Sequence, residues 1–277
     1  AEGLPHPMLD GQWGKVSPTA RMAYRITWDF GEGGSRLPAL FEMAKRAGRR
    51  YIYHGNPFRT WGHFGLDPRQ FPEGDESLRA YVDSAAEQGL RLGCHTLTGF
   101  ITTNDPYVTP VPDPRLATWG ESTLAEAVDE KSTEVPVAGA TPFRRPSTLH
   151  AVLIEQELVQ YRRVSDDGRC LVGCSRGAFG TGASAHDAGT GVGLLADHGY
   201  RTLFPGIDNG MMDEMTRRLV ELFNTTGMRQ VSFDGLEGLA GYGYPGDYTR
   251  NRFVRQCFDG WQVEVINDAS NLLHYLW

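Results

Sequence analysis

The chain has 277 residues, 40% hydrophobic and 22% charged, with a formal net charge of −7. Length and balance suit one large globular domain, or one domain with an insertion, and exclude wholesale disorder. The acidic charge and the lack of a long Lys/Arg run argue against nucleic acid as a partner, no stretch approaches the ~20 apolar residues of a membrane span, and four scattered cysteines make no disulfide framework.

The first 20 residues, rich in Pro and Gly, read as an extended entry segment. The opening Ala-Glu-Gly reads either as the start of a mature exported form or as an arbitrary boundary, which leaves location open between export (secreted or periplasmic), the favoured reading, and the cytoplasm. Met22 to Asp29 alternates as a strand. Leu37 to Ala47 has helical spacing (Leu37, Leu40, Phe41, Ala44), ends in Lys45-Arg46 and is closed by Gly48. Arg50 to His54 is the second strand. A long aromatic loop, residues 55–74, carries Phe58, Trp61, His63, Phe64 and Phe71. Glu76 to Glu87 is an amphipathic helix stopped by Gly89, and Leu90 to Thr96 is the third strand. Strands alternating with helices through short links require right-handed crossovers and a parallel sheet.

From Thr103 to about Gly199 this alternation stops. Pro106, Pro110, Pro112 and Pro114 make an extended lead-in. Leu149–Leu158, Gln160–Val164, Arg169–Cys174 and Gly191–Leu195 then read as strands, with a hairpin signal at Asp167-Gly168. The expected organisation is therefore βα units over 1–105, an inserted all-β subdomain over 106–200, and further βα units over 201–277. The last part holds a helix at Asn209–Asn224, a fourth strand at Gln230–Phe233, a helix at Asn251–Phe258, a fifth strand at Gln262–Ile266 and the start of another helix at Ser270. Met211, Met212 and Met215 are core filler. About five βα units are visible where a closed (β/α) barrel of the TIM type needs eight. The break at Leu-His-Tyr-Leu-Trp277 favours a piece of a longer barrel over an open sheet.

Several of these strands end in polar residues. Tyr51-Ile-Tyr-His54, Leu92-Gly-Cys-His95, Val231-Ser-Phe-Asp234 and the run to Asn267-Asp268 gather histidines and acids where such a barrel builds its active site, at the C-terminal strand ends. Two carboxyl groups are what glycoside hydrolysis requires. Asp234 is the candidate nucleophile or stabilising carboxylate. Glu237, three residues on, and Asp268 compete for the acid/base role; each has a bland alternative, a solvated turn acid for Glu237 and a helix N-cap for Asp268. His54, His95, Asn104, Tyr107, Trp61 and Asn267 are the expected substrate-binding set. Asn104-Asp105-Pro also reads as a turn opener, and each aromatic also fits a core. Tyr242 to Tyr248 reads as an aromatic lip. A metal held by His54, His95 and Asp234 is the weaker reading, because the first strand carries no H-x-H. Cys170 and Cys174 have no histidine at zinc spacing. No G-x-G-x-x-G, P-loop or H-E-x-x-H occurs, so neither cofactor nor metal is expected.

Two stretches resemble known families. Phe71-Pro-Glu-Gly…Leu78…Val82…Ala85-Ala86-Glu-Gln-Gly89-Leu-Arg-Leu-Gly93 resembles a segment of α-galactosidase-like (β/α)8-barrel glycoside hydrolases, over about a third of the chain. That resemblance implies a sugar site and an aspartate nucleophile at the end of the fourth strand, which is Asp234 here. The lysine that the family carries two residues earlier is replaced by Ser232. Glu155-Gln-Glu-Leu-Val-Gln-Tyr161…Arg176-Gly-Ala-Phe-Gly-Thr181…His186-Asp-Ala-Gly189 is similar to small β-modules of phage tail proteins. It implies an all-β insertion in which Arg176, Thr181 and His186 hold turns together by hydrogen bonds. The expected activity is a glycosidase acting on a poly- or oligosaccharide. Its alternatives are a polysaccharide lyase using His95 and Tyr107, or a non-catalytic carbohydrate-binding or phage-like structural module.

Overall fold

A computed structural model describes residues 8–9, 11–13, 16–18, 23–26, 29–236, 239 and 243–269. In chain order the elements are β1 (Met8–Leu9), β2 (Gln12–Trp13), β3 (Ala23–Ile26), α1 (Leu37–Arg46), β4 (Tyr51–His54), α2 (Asp75–Glu87), β5 (Arg91–Leu97) and β6 (Ile101–Thr102). Short strands follow: β7 (Thr118–Thr123), β8 (Glu134–Pro136), β9 (Ala151–Ile154), β10 (Glu157–Gln160), β11 (Arg163–Val164), β12 (Cys170–Val172), β13 (Gly191–Leu195), β14 (Asp197–His198) and β15 (Thr202–Leu203). The chain closes with α3 (Met211–Thr226), β16 (Gln230–Asp234), α4 (Tyr244–Gly260) and β17 (Ile266–Ala269). It forms two compact units, Ala1–Gly99 with Asp213–Trp277, and Phe100–Met212.

The first unit is built on a five-stranded sheet of order β17-β16-β5-β4-β3, parallel throughout. Spatial order follows chain order. Right-handed crossovers between such strands put every connecting helix on one face, the arrangement of a (β/α) barrel wall rather than of a doubly wound sheet. The sheet is open among the described residues. Phe233 identifies the helical face: its ring lies 6.3 Å from Phe253 of α4 and 6.0 Å from Trp261. The helices turn inward the faces expected of them, Leu40, Phe41 and Ala44 on α1, Leu78, Val82 and Ala85 on α2, Met215, Leu219, Leu222 and Phe223 on α3. A two-pronged ion pair, Arg218 to Asp75 at 2.8 Å on both prongs, ties α3 to the first turn of α2.

Two boundaries differ from expectation. β17 begins at Ile266, four residues after the expected start at Gln262, so Asn267 lies inside the strand. α4 begins at Tyr244, and most of the expected aromatic lip is its first turn. Pro245 stands at the start of that helix, Gly243 enters it with φ 63°, and Gly246 is buried against the unit. Glu237, Tyr242 and the expected helix from Ser270 lie outside the described residues.

Gly93 explains how β5 and β16 come close. It is in register with Gln230, and a Cβ at position 93 would overlap both the carbonyl oxygen and the side chain of Gln230. Because backbone cannot swing away as a side-chain tip can, Gly93→Ala is expected to destabilise the first unit by about 3 kcal/mol; equilibrium urea unfolding measures it, and an unchanged midpoint contradicts the packing described.

The second unit carries sheets of order β10-β9-β13-β7, β11-β12-β8 and β14-β15-β6 over a core that includes Val135, Val152, Ile154, Val159, Leu171, Val192 and Leu194. The run Leu149–Leu158, expected as one strand, is a hairpin: Ile154 pairs with Glu157, and Glu155 takes φ 51° in the two-residue turn. At Asp167-Gly168 the chain does reverse, with Gly168 at φ 70° and Val164 opposite Leu171.

The polar residues of the 155–189 stretch converge on one buried carboxylate. Glu157 is fully buried and receives Arg176 through Nε at 2.9 Å and Nη2 at 2.6 Å. The N–H groups of Gly177 at 2.8 Å and Ser184 at 3.1 Å, and His186 Nε2 at 2.8 Å, complete its shell. His186 Nδ1 meets Glu155 at 2.7 Å. Arg176 also donates to the carbonyls of Asp129 and Ser184, and Thr181 accepts from Leu158 N–H and donates to the Ala178 carbonyl. Burial by itself would push the Glu157 carboxyl up; the Arg176 guanidinium and the surrounding donors outweigh it and hold the group below the usual carboxylate range.

Candidate active site

The strand β16 reads Gln-Val-Ser-Phe-Asp. Its apolar positions, Val231 and Phe233, face the helices, so Gln230, Ser232 and Asp234 face the other side. The register carries this assignment across the sheet. His95 pairs with Ser232, and Leu97 with Asp234, so β5 puts His95 on the same non-helical face. There His95 Nε2 lies 3.2 Å from Asp234 Oδ2. The histidine side chain is 11% exposed and the carboxylate 38%, so the pair is held by the sheet yet open to a ligand at its C-terminal edge.

The turn after the carboxylate is tightly constrained. Gly235 has φ 78° and donates its N–H to Asp234 Oδ1 at 2.9 Å. The Asp234 carbonyl accepts Thr98 N–H at 2.7 Å. A Cβ at Gly99 would stand 2.9 Å from the Gly235 oxygen, so β5 and β16 leave the sheet in contact. Thr96 reinforces the junction by donating to the Ser232 carbonyl at 3.1 Å. Asp234 is therefore fixed by backbone on one oxygen and by an imidazole on the other.

The remaining expected site residues are dispersed. Position 268 is in register with Ser232, on the strand next to Asp234; its side chain, like all of Glu237, lies outside the described residues. His54 is a correction. It pairs with Cys94, not His95, and so faces the helical side, 4.6 Å from the ring of Phe30 and 2% exposed. Its Nδ1 accepts Asn56 N–H at 2.9 Å and its Nε2 lies 2.6 Å from Gln70 Oε1, leaving no nitrogen for a sugar. Asn267, in register with Val231, also faces the helices. Tyr107 is 6% exposed and its N–H closes a turn on Asp105 Oδ1 at 3.0 Å; with the exposed Asn104 it belongs to the second unit. Trp61 is half-buried in the 55–74 loop, which is ordered by Asp67 N–H to the Pro57 carbonyl and Arg59 N–H to that of Gly65.

His54 gives a pH prediction. Burial lowers its pKa more than the Gln70 bond and the Asp29 and Asp67 charges raise it. A depressed folded-state value means that the unfolded chain takes up the proton first. The stability from a neutral His54 is present above about pH 6.5, the unfolded value, and is lost as pH falls towards the lower folded value. Urea midpoints measured from pH 7 to 5 should fall, and His54→Asn should flatten that fall; an unchanged slope in the variant would contradict it.

Reasoning from sequence missed Ser232 as a residue on the face of Asp234, although the alternation of polar and apolar residues in 230–234 was its signal. The described residues hold no cluster of three or more His, Cys, Asp or Glu able to bind a metal. The thiols of Cys94 and Cys257 are fully buried and pushed up by that burial, which makes them inert as nucleophiles. No helix is long and apolar enough to cross a membrane among the described residues.

No family model matches the chain, and no curated protein is significantly similar to it. Solved structures do match. An α-galactosidase from Thermus thermophilus in complex with stachyose aligns with TM-score 0.50 at 12% identity, over 89% of this chain and 39% of that one. A variant of isomaltulose synthase from Erwinia rhapontici NX5, in complex with its natural substrate sucrose, aligns with TM-score 0.52 at 10% identity, over 92% and 45%. A trehalulose synthase variant aligns with TM-score 0.50 at 11% identity, over 91% and 45%. The chain spans less than half the length of these proteins. Their shared fold is the TIM-barrel type of the glycosidases, and the structure of this chain is similar to it.

Proposed function

We propose that this chain is a glycoside hydrolase acting on a poly- or oligosaccharide. The observation that carries the reading is the His95–Asp234 pair, on the face of a parallel sheet turned away from its helices and at the C-terminal strand edge. Asp234 is the nucleophile, or the carboxylate that stabilises an oxocarbenium-like transition state. Its Oδ1 accepts Gly235 N–H, while Oδ2 meets His95. His95 is a positioning residue: its N–H fixes the carboxylate's rotamer and supports its charge.

A second carboxyl group must protonate the leaving oxygen. Glu237 and Asp268 are the two candidates. Asp268 has the stronger claim on geometry, because its position is in register with Ser232, the residue two before Asp234 on the neighbouring strand. A carboxyl separation of about 5–5.5 Å gives retention and about 6.5–9.5 Å gives inversion. Trp61 is retained as a stacking surface for a pyranose. The lyase reading is disfavoured, because its Tyr107 is buried and bound into a turn.

The test is release of reducing ends from a panel of α- and β-linked oligosaccharides by the wild type and by Asp234→Asn. Product absorbing in the ultraviolet marks a lyase instead, and binding without turnover on any member marks a non-catalytic carbohydrate-binding protein.

A further inference from the structure

Thr96 lies on the side of the sheet where no substrate reaches, yet it holds the strand that carries Asp234. It is in register with Phe233 and so faces the helices, opposite Asp234. Its neighbours on that face of β5, Leu92 and Cys94, are apolar, and Thr96 and Thr98 are both fully buried. A buried hydroxyl costs free energy unless it is hydrogen-bonded. These two meet each other, Oγ1 to Oγ1 at 2.7 Å, and Thr96 Oγ1 donates to the Ser232 carbonyl at 3.1 Å. A hydroxyl has a single proton. Thr96 directs its proton to the carbonyl, so Thr98 is the donor between the two hydroxyls. The chain therefore runs from Thr98 O–H to Thr96 O–H to Ser232 C=O, and hydrogen bonds in such a chain strengthen one another.

The same segment grips Asp234 itself. Thr98 N–H donates to the Asp234 carbonyl at 2.7 Å. The end of β5 thus holds two carbonyls of β16, one on each side of Phe233. Fixing both peptide planes fixes the direction in which the Asp234 side chain leaves the backbone. Just past the carboxylate, Gly99 lies against Gly235. A Cβ at position 99 would stand 2.9 Å from the Gly235 oxygen and 3.5 Å from Cγ of Leu239, which is itself fully buried. Gly235, at φ 78°, is the residue whose N–H holds Asp234 Oδ1 at 2.9 Å. A group that pushes the Gly235 oxygen aside shifts the donor that orients the carboxylate.

We propose that Thr96, Thr98 and Gly99 are positioning residues for the glycosidase reaction, which from inside the β5–β16 junction set the angle at which Asp234 meets His95 and the anomeric carbon. The chemistry in this proposal rests on the hydrolase reading; the clamp rests on hydrogen bonds and packing within the first unit.

The experiment combines steady-state kinetics on small aryl glycosides with proton NMR of the His95 C2–H at fixed pH, assigned by its loss in His95→Gln. Urea unfolding gives the folded fraction of each variant. Thr96→Val keeps the shape and removes the hydroxyl. It should lower kcat roughly tenfold with KM within about twofold, and Gly99→Ala should lower kcat by roughly 10²-fold, because a misplacement of about 1 Å costs that much. Thr96→Ser keeps the hydroxyl and should restore kcat. Thr96→Val and Gly99→Ala should also move the His95 signal in the direction that Asp234→Asn moves it, while Thr96→Ser leaves it in place. The proposal is overturned, with the hydrolase reading intact, in any of three cases: Thr96→Val and Gly99→Ala turn over like the wild type, their kcat falls only as their folded fraction falls, or Thr96→Ser fails to restore what Thr96→Val loses. If the wild type turns over no glycoside, the hydrolase reading fails and the NMR decides the clamp. A His95 signal moved by Thr96→Val and restored by Thr96→Ser upholds the clamp, and an unmoved one overturns it.

Discussion

Asp234→Asn is expected to reduce glycoside turnover by roughly 10³-fold or more, about 4 kcal/mol of barrier, with little loss of folded protein. Asparagine keeps the shape of the side chain, and its carbonyl oxygen can still accept Gly235 N–H. What disappears is the negative charge opposite the developing positive charge of the sugar ring, and with it any covalent intermediate. Asp234→Gly separates the two roles. If Asp234 is the nucleophile, added azide attacks the anomeric carbon as the leaving alcohol departs with a proton, and a glycosyl azide accumulates. If it acts only as a stabilising carboxylate, no azide product forms. His95→Gln should cost less, because it removes the support and leaves the carboxylate. Wild-type turnover surviving in Asp234→Asn would remove this residue from the chemistry.

Glu157→Ala is expected to destabilise the second unit by about 3–5 kcal/mol, and Arg176→Ala by a similar amount. Each variant strands an opposite charge where no water reaches: the Glu157 side chain is fully buried and that of Arg176 is 6% exposed. The double variant Glu157→Met/Arg176→Leu should lose far less than the sum of the two, since it removes both charges and returns apolar volume. Urea unfolding monitored by near-ultraviolet circular dichroism gives all three values. A loss below about 1 kcal/mol for Glu157→Ala would mean that the apolar core, not the ion cluster, holds these turns. The same cluster accounts for the spacing of Glu157, Arg176, Thr181 and His186, since each of them bonds to Glu157 or to a turn that surrounds it.

Much of the first unit is legible in the sequence. The helices at 37–46 and 75–87 follow their apolar spacing, and the strands ending at His54, His95 and Asp234 lie close to their expected bounds. The start of α4 is obscured because a Gly/Tyr/Pro-rich run resembles a loop. Proline breaks a helix interior, but Pro245 stands in the first turn, where no N–H bond is lost. The hairpin at 155–156 is hidden for the opposite reason. Ile154-Glu-Gln-Glu157 has no glycine, and Glu155 takes a left-handed conformation that its neighbours impose.

By itself the sequence determined that strands alternate with helices around a long strand-rich segment, that the sheet is parallel, and that polar residues end its strands. Only the tertiary structure decided which of those residues share a face. His54 and His95 both end strands in the same kind of pattern, yet His54 is in register with Cys94 and His95 with Ser232. Side chains alternate with a period of two, so that one-residue offset sends His54 to the helices and His95 to Asp234. Tyr51-Ile-Tyr-His54 and Leu92-Gly-Cys-His95 are buried on both faces, and a strand buried on both faces carries no pattern from which its register can be read.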